Sequence, residues 1–457
     1  MMQAGGTTGS SDLHESWSSR FGFLMATIGF AVGLGNIWRF PYMTGENGGA
    51  AFVLVYLFCA FAIGIPILIA ELLIGRRGQR SPPAAMRAIA EAEGRSRHWQ
   101  WVGGMNLLAA FVIGLSYCVV IGWVLLYLWK ALLTGFSGID AAAARAEFDG
   151  LLHDTPTMVL WTWIGLVLTG AIIYAGVRKG IERAVTVMMP ALFLLLLVLA
   201  AFNIVSGGFP AALDYLFRAD FSKITASVWL AAVGQAFFSI GVAMAGMMTY
   251  GAYLPKSVSI VRSAWLIIVA DTMVALLAGL VIFPVIFKFG LDPQGGPGLI
   301  FQTLPVAFAQ MPGGHLFGVL FFVLLSFAGI TSMVGLIEAL TAWLEEHRGF
   351  ARHRSALLVL AAIAILSLLS ILSYSEFSEW RVAGKNLNAI LDYLANQVLL
   401  PLGGLLIAVF AGWQMSRDST REELDLPDGR VFGLWRILIR YPVPVAVLLI
   451  LLLGVGS

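Results

Sequence analysis

Two cysteines, six histidines and 12% charged residues are all that these 457 residues offer to chemistry built on thiolates, imidazoles or fixed charge. Cys59 and Cys118 both sit in apolar runs, so neither a disulfide framework nor a thiolate metal cluster is suggested. His14, His98, His153, His315, His347 and His353 fall at the ends of apolar runs or between them. No Ser–His pair, haem ligand or metal cluster can therefore be assembled inside a membrane, which argues against an enzyme. A soluble domain carries about 25% charged residues, and the deficit here is matched by 59% hydrophobic residues. The chain is expected to be an all-α polytopic membrane protein in contact with lipid. A net charge of +2 with no basic stripe gives no support for nucleic-acid binding. The opening MMQAGGTTGSSDLHESWSSR lacks the order of a signal peptide and is expected to remain as a cytoplasmic tail.

A helix crossing ~30 Å of hydrocarbon needs roughly 20 apolar residues. That measure predicts eleven spans, at 20–46, 50–75, 99–134, 157–176, 181–206, 224–254, 260–289, 315–346, 354–374, 385–415 and 435–456. The stretches 135–156 and 291–314, the second with DPQGGPG and MPGGH turns, are expected to be structured outer loops. Twenty of the twenty-eight Lys and Arg residues fall in segments that lie inside if the N-terminus is inside. The positive-inside rule then predicts a multi-pass protein of an inner or plasma membrane, N-terminus cytoplasmic and C-terminus outside.

The first span carries GFAVGLGNIWRFPYMTGENGG, residues 29–49, where glycines, a proline, asparagines, Arg39 and Glu46 interrupt an apolar helix. Unpaired backbone groups cost several kcal/mol in lipid, so irregular backbone survives only within protein or beside a cavity. Around Val32-Gly33-Leu34-Gly35 the chain can leave helical geometry cheaply, and Asn36 follows at once. A similar pattern, FFSIGVAMAGMMTYGAY, lies five spans later in span 6, with Ser239 and Gly241 ahead of Ala245-Gly246. Five is odd, so two five-helix halves have opposite orientation, and paired interrupted helices at matching places point to a secondary transporter's site. Half-helix N-termini favour a carboxylate, and freed carbonyls favour a small hard cation. Tight helix packing alone would explain the glycines, but not Asn36 and Arg39 beside them, nor the second break. Asp271, deep in IIVADTMVALLAGL, costs about 2.5–3.5 kcal/mol to insert. It reads either as part of a site or as a buried residue paired to a neighbouring helix.

These residues resemble the neurotransmitter:sodium symporter family. AVGLGNIWRFPYMTGENGGAAF in span 1, GIPILIAELLIGR in span 2, GQAFFSIGVAMAG in span 6 and FAGITSMVG in span 8 carry the likeness. It runs from about Trp17 through span 10 and is most similar to the bacterial amino-acid transporters. The resemblance implies a LeuT-type fold, a 5+5 inverted repeat with helices 1 and 6 unwound at mid-membrane. On that plan residues 1–16 are a tail, 17–206 the first repeat, 207–415 the second, 416–434 an inner loop and 435–457 an eleventh helix.

The resemblance further implies two Na⁺ sites. The first takes Ala31, Asn36, Ser239, Asp271 and the substrate carboxylate; the second takes Gly29, Val32, Ala328, Thr331 and Ser332. Oxygen donors suit hard cations. The substrate pocket maps to Ala31, Leu34, Gly35, Ile113, Tyr117, Phe238, Ser239, Gly241, Met244, Ser332 and Leu336. Tyr117 is expected to bind a carboxylate and Phe238 to act as a lid. Monoamine-transporting relatives carry aspartate where this chain has Gly33, so the expected substrate is a neutral aliphatic or aromatic amino acid. Chloride-dependent relatives bind chloride near Tyr56, Gln235, Ser239 and position 275, which is alanine here. Asp271 lies one turn from it, and no chloride requirement is expected.

Arg39 and Asp392 are implied as an outer gate, and Trp17, Tyr253 and Glu346, with His14 where relatives have arginine, as an inner one. Histidine titrates near 6.5, which would make that latch pH-sensitive. Gly180 and Pro190 have the spacing that permits local unwinding of helix 5 in a bacterial member. Glu338 has no implied role. A non-transporting amino-acid sensor on the same scaffold, or proton coupling through Asp271 and Glu338, are the alternatives.

Overall fold

The structure, a computed structural model, describes residues 16–382 and 384–454. His14 lies outside the described residues, and with it the expected partner of the inner gate.

Long apolar runs satisfy their own backbone as helices, the arrangement that lets a single segment cross hydrocarbon. Among the described residues nine helices are long and apolar enough to cross a membrane. They are Ala50–Gly78, Arg97–Thr134, Thr155–Tyr174, Val177–Val205, Ile260–Lys288, Gly314–Arg348, Arg352–Leu372, Leu387–Gln414 and Arg430–Leu452. A tenth is the pair Arg20–Ala31 and Gly35–Glu46, bent by 44° at the intervening residues. In place of one continuous helix over 224–254 stand two short ones, Ala226–Ile240 and Gly246–Ala252. Neither is long enough to cross alone. We number these segments as spans 1 to 11 in chain order, the two short helices being span 6.

Burial sorts the spans into a centre and a rim. The apolar windows of spans 3 and 8 are each 83% buried, against 28% for span 11. Association inside lipid depends on close packing rather than on the hydrophobic effect, and spans 3 and 8 pack along each other at the centre. The stretches 135–156 and 291–314 carry helices Ala141–His153 and Thr303–Gln310. The turn Gly296–Leu299, ahead of the second helix, folds onto span 1, with the Trp38 indole donating to the Pro297 carbonyl at 3.1 Å.

Differences from the sequence expectation concentrate at segment ends. Span 11 starts five residues early, because the amphipathic helix Arg430–Arg440 leads into Pro442–Gly454. The expected loop over 416–434 contains helix Arg417–Leu424, tied down by Arg76 through Glu423 at 2.5 Å and by Arg77 through Ser419 at 2.5 Å. Glu93 joins this cluster. Burial pushes its carboxyl up, but the Ser419 hydroxyl, Arg77 and the Ser416 N–H outweigh burial and hold it at about 2, below an ordinary value of 4.5. Stability from a depressed carboxyl is present above the unfolded value and is lost as pH falls through the folded one. Glu93→Gln is therefore expected to lower the melting temperature by the same amount at about pH 5 and pH 8, measured on the purified protein.

Candidate functional site

The first break begins where helix Arg20–Ala31 gives way to Val32, whose ψ of 96° is extended. The amides released there find side chains. Gly33 N–H donates to Asn36 Oδ1 at 3.0 Å and Leu34 N–H to the Tyr117 hydroxyl at 3.1 Å. The second break passes through Gly241, Ala243 and Ala245 at φ of 75°, 62° and 64°. Left-handed alanines cost of order 1–3 kcal/mol each, so they need support. Glu71 supplies some, accepting the Ala243 N–H at 2.6 Å.

Between the two breaks the structure gathers Asn36, Ser239, Asp271 and Tyr56. Asn36 Nδ2 lies 2.9 Å from Ser239 Oγ, 3.0 Å from the Asp271 carbonyl and 2.7 Å from Asp271 Oδ1. An amide nitrogen has two hydrogens, fewer than the oxygens converging on it. Ser239 Oγ donates to Asp271 at 2.9 Å, and the Tyr56 hydroxyl reaches the same carboxylate at 3.2 Å. All four side chains are buried. Asn36 faces this cluster with its nitrogen while its oxygen accepts the Gly33 N–H, so a turn of the amide that brings the oxygen to the cluster gives up that bond. With that turn the donor set is carboxylate, amide and hydroxyl oxygen, which suits a small hard cation. Gln235, expected beside this cluster, donates instead to the Gly35 carbonyl at 2.7 Å.

A second oxygen-rich place lies where span 8 meets the end of the first half-helix. Ser332 Oγ donates to the Gly29 and Phe30 carbonyls at 3.2 and 3.0 Å. A Cβ on Gly29 would touch Thr331 and Met189. The Thr331 hydroxyl bonds within its own helix, to Phe327 and Ala328.

The pocket between the breaks is lined by Ala31, Gly35, Ile113, Tyr117, Phe238, Met244, Ser332 and Leu336, all expected from the sequence, together with Phe30 and Gly33. Three expected residues do not line it. Leu34 contributes its N–H to Tyr117, Ser239 turns to Asp271, and Gly241 packs on the Phe30 ring. The void is about 20 Å³, little more than one water's room. Admitting a side chain requires Phe238 or the unbranched Met244 to move. Phe30 was missed because an apolar ring in a span reads as packing. Its position shows only in three dimensions, where Gly241, Gly246 and Gly335 leave room for its ring. A larger groove of about 600 Å³ between spans 4 and 9 is lined almost entirely by apolar side chains on the rim.

Above the pocket, no ion pair joins Arg39 to Asp392 among the described residues. Arg39 instead lies over the Phe238 ring at 4.8 Å and reaches Gln235 at 3.3 Å, while Asp392 accepts from Asn396 at 2.7 Å. In place of the expected Arg39–Asp392 pair stands a cation–π stack of the guanidinium on Phe238. Below, the Trp17 indole donates to the Tyr250 carbonyl at 3.1 Å and packs against both Tyr250 and Tyr253. Glu346 accepts the Ser81 N–H at 2.7 Å, at the start of helix Pro82–Ala92. Glu338 gains partners that the sequence did not identify: Arg352 at 2.6 Å and the Tyr253 hydroxyl at 3.0 Å. Gly180 sits in a wide helical turn, Val177–Glu182, but the helix Arg183–Ser206 runs unbroken through Pro190. The structure thus shows no unwinding around that proline.

Two interrupted helices that enclose a buried pocket flanked by oxygen clusters define a secondary transporter rather than an enzyme. The Sodium:neurotransmitter symporter family profile matches residues 14–138 and 152–456. The chain belongs to that family and is a multi-pass, sodium-coupled transporter. It is 35% identical over 447 residues to the uncharacterized sodium-dependent transporter YhdH of Bacillus subtilis, covering 96% of this chain and 97% of YhdH. It is 27% identical to the sodium-dependent dopamine transporter of Bos taurus, covering 97% of this chain and 69% of that protein. Among solved structures, MhsT in complex with L-phenylalanine superposes with a TM-score of 0.90 at 38% identity, covering 96% of this chain and 99% of MhsT. The chain shares that protein's LeuT-type helical fold.

Proposed function

We propose that this transporter imports a neutral, hydrophobic L-amino acid together with Na⁺ by alternating access, without chloride. The observation that carries the reading is the composition of the pocket's lining. It joins the glycine-rich break and Tyr117 to the apolar side chains of Ile113, Met244, Leu336 and Phe30. No carboxylate lines it, so a bound ammonium has to bring its own anion. An amino acid does so, and its carboxylate completes the shell of the first Na⁺ with the Ala31 carbonyl, Asn36, Ser239 and Asp271. A second Na⁺ is assigned to the Gly29, Val32 and Ala328 carbonyls with Thr331 and Ser332. That MhsT was crystallised with L-phenylalanine supports an aromatic or large aliphatic side chain here.

The reading counts the broken pair of span 6 as one crossing, giving eleven. The two five-helix halves are inverted relative to each other, and the Arg76 and Arg77 side faces the cytoplasm, by the bias of basic residues. Arg39 and Phe238 close the outer path; Trp17, Tyr253 and the Glu338–Arg352 pair close the inner one. Occupancy of the Na⁺ sites draws the breaks together, and their loss frees span 1 to move.

The test is uptake into proteoliposomes across labelled amino acids, with Na⁺, chloride and proton gradients varied separately. Concentrative uptake of aromatic or branched aliphatic amino acids is expected under an inward Na⁺ gradient, unchanged when gluconate replaces chloride. Saturable binding without uptake would make the protein a sensor, and uptake driven by a proton gradient alone would overturn the coupling.

A further inference from the structure

Of the buried carboxylates outside the pocket and both oxygen clusters, Glu71 supports the second break and Glu338 pairs with Arg352, which leaves Glu182. Glu182, in the wide turn that opens span 5, is 5% exposed. It accepts from the Ser18 N–H at 2.9 Å, the Ser18 hydroxyl at 2.6 Å and the Ser19 hydroxyl at 2.9 Å. No Lys or Arg forms an ion pair with it among the described residues. A buried carboxylate needs such compensation, and every side-chain and main-chain donor recorded for it belongs to the start of span 1. The N-terminal end of a helix also favours a negative charge.

Three further contacts join the same two segments. Arg178, from the same turn, donates to the Ser16 carbonyl at 2.8 Å and hydroxyl at 2.5 Å. Gly22 lies so close to Glu182 that a Cβ there would occupy the space of the carboxyl group. At the far end of the half-helix, Met189 of span 5 packs on Gly29 beside Thr331. Residues 178–189 of span 5 therefore touch span 1 at its start and again at the second oxygen cluster.

We propose that Glu182 is a positioning residue that clasps the start of span 1 and couples cation occupancy to inner closure. Swinging the first half-helix outward strips the carboxylate of its donors, and only water can replace them. Inner opening is therefore tied to hydration of this one group. Movement of span 5 over the second Na⁺ region pulls on the same stretch that holds Ser18 and Ser19. The proposal rests on the assignment of Na⁺ to that region.

The test uses the full chain with Cys59→Ala, Cys118→Ala and Ala342→Cys. Ala342 is buried under Tyr253, beside Thr249 and Ala252. Maleimide labelling of this cysteine in Na⁺ and in K⁺ reports inner opening. Glu182→Gln, whose amide brings donors to face donors, is expected to label about tenfold faster in Na⁺, the shift from losing a charge-assisted hydrogen bond. Ser18→Ala should move the rate the same way by less, and adding it to Glu182→Gln should change nothing further. Gly22→Ala, which displaces the carboxyl without removing it, should reproduce Glu182→Gln. Labelling of Glu182→Gln within about twofold of the parent, or effects that multiply with Ser18→Ala, overturns the clasp. A parent chain indifferent to Na⁺ overturns the cation assignment instead, while faster labelling of Glu182→Gln in both salts would still support the clasp.

Discussion

Replacing Asp271 with alanine is expected to lower sodium-driven uptake more than ~100-fold in chloride-free buffer, because it removes the one fixed charge among buried groups arranged around it. Tyr56, Ser239 and Asn36 all direct hydrogen-bond donors at this carboxylate or its carbonyl. Taking the carboxylate away removes the acceptor shared by the Tyr56 and Ser239 hydroxyls, leaves the Asn36 amide only the position-271 carbonyl and Ser239, and leaves a Na⁺ without a protein anion. The same loss makes room for a replacement. Tyr56 and Ser239 then point their hydroxyls into a space that suits a monovalent anion, next to the buried Ala275. Chloride at about 100 mM is therefore expected to restore uptake by Asp271→Ala at least tenfold, whereas the parent is indifferent to it. The measurement is initial uptake in proteoliposomes with chloride or gluconate on both sides. Uptake by Asp271→Ala that is near normal without chloride would falsify the role given to this carboxylate. Uptake absent in both buffers, with a protein that still binds substrate, would assign Asp271 to the ion alone and leave the anion exchange unsupported.

How much of this was legible in the sequence depends on whether the signal was local. The first break was, because Gly33, Gly35, Asn36 and Arg39 are neighbours in the chain and irregular backbone in lipid has few explanations. Asp271 was legible by its cost alone, although its partners Asn36, Ser239 and Tyr56 came from the resemblance and not from any spacing. Helix ends were read less well: the amphipathic start of span 11 carries charge on one face, and an apolar-length count skips it. Phe30 and Glu182 were illegible for a different reason. Each is defined by the absence of a side chain elsewhere, at Gly241, Gly246 and Gly335 for the ring and at Gly22 for the carboxylate, and such vacancies are created by packing. The outer gate shows the limit of transfer by position. Arg39 and Asp392 stand where the resemblance put them, but the guanidinium lies on Phe238 and the carboxylate turns to Asn396.

Gly33→Asp is the second large effect. A Cβ at position 33 would lie 2.8 Å from the Tyr117 hydroxyl and overlap Ser332 Oγ, so even alanine crowds the break. Aspartate adds a charge where the substrate carboxylate is assigned. Two like charges about 4 Å apart repel by about 4 kcal/mol at an effective dielectric constant of ~20, roughly three orders of magnitude in affinity. Amino-acid uptake by Gly33→Asp is expected to fall more than ~100-fold, while the decarboxylated amine of the preferred substrate, which brings no carboxylate, gains measurable Na⁺-dependent binding. Gly33→Ala separates the two causes: it carries the steric part alone, so it should weaken the amino acid and its amine alike. The readout is competition by acid and amine against a labelled substrate, with thermal stability followed to exclude unfolding. If Gly33→Asp still takes up the amino acid within about threefold of the parent, the substrate carboxylate does not sit at the break. The division of labour between the break and the substrate's own anion would then have to be redrawn.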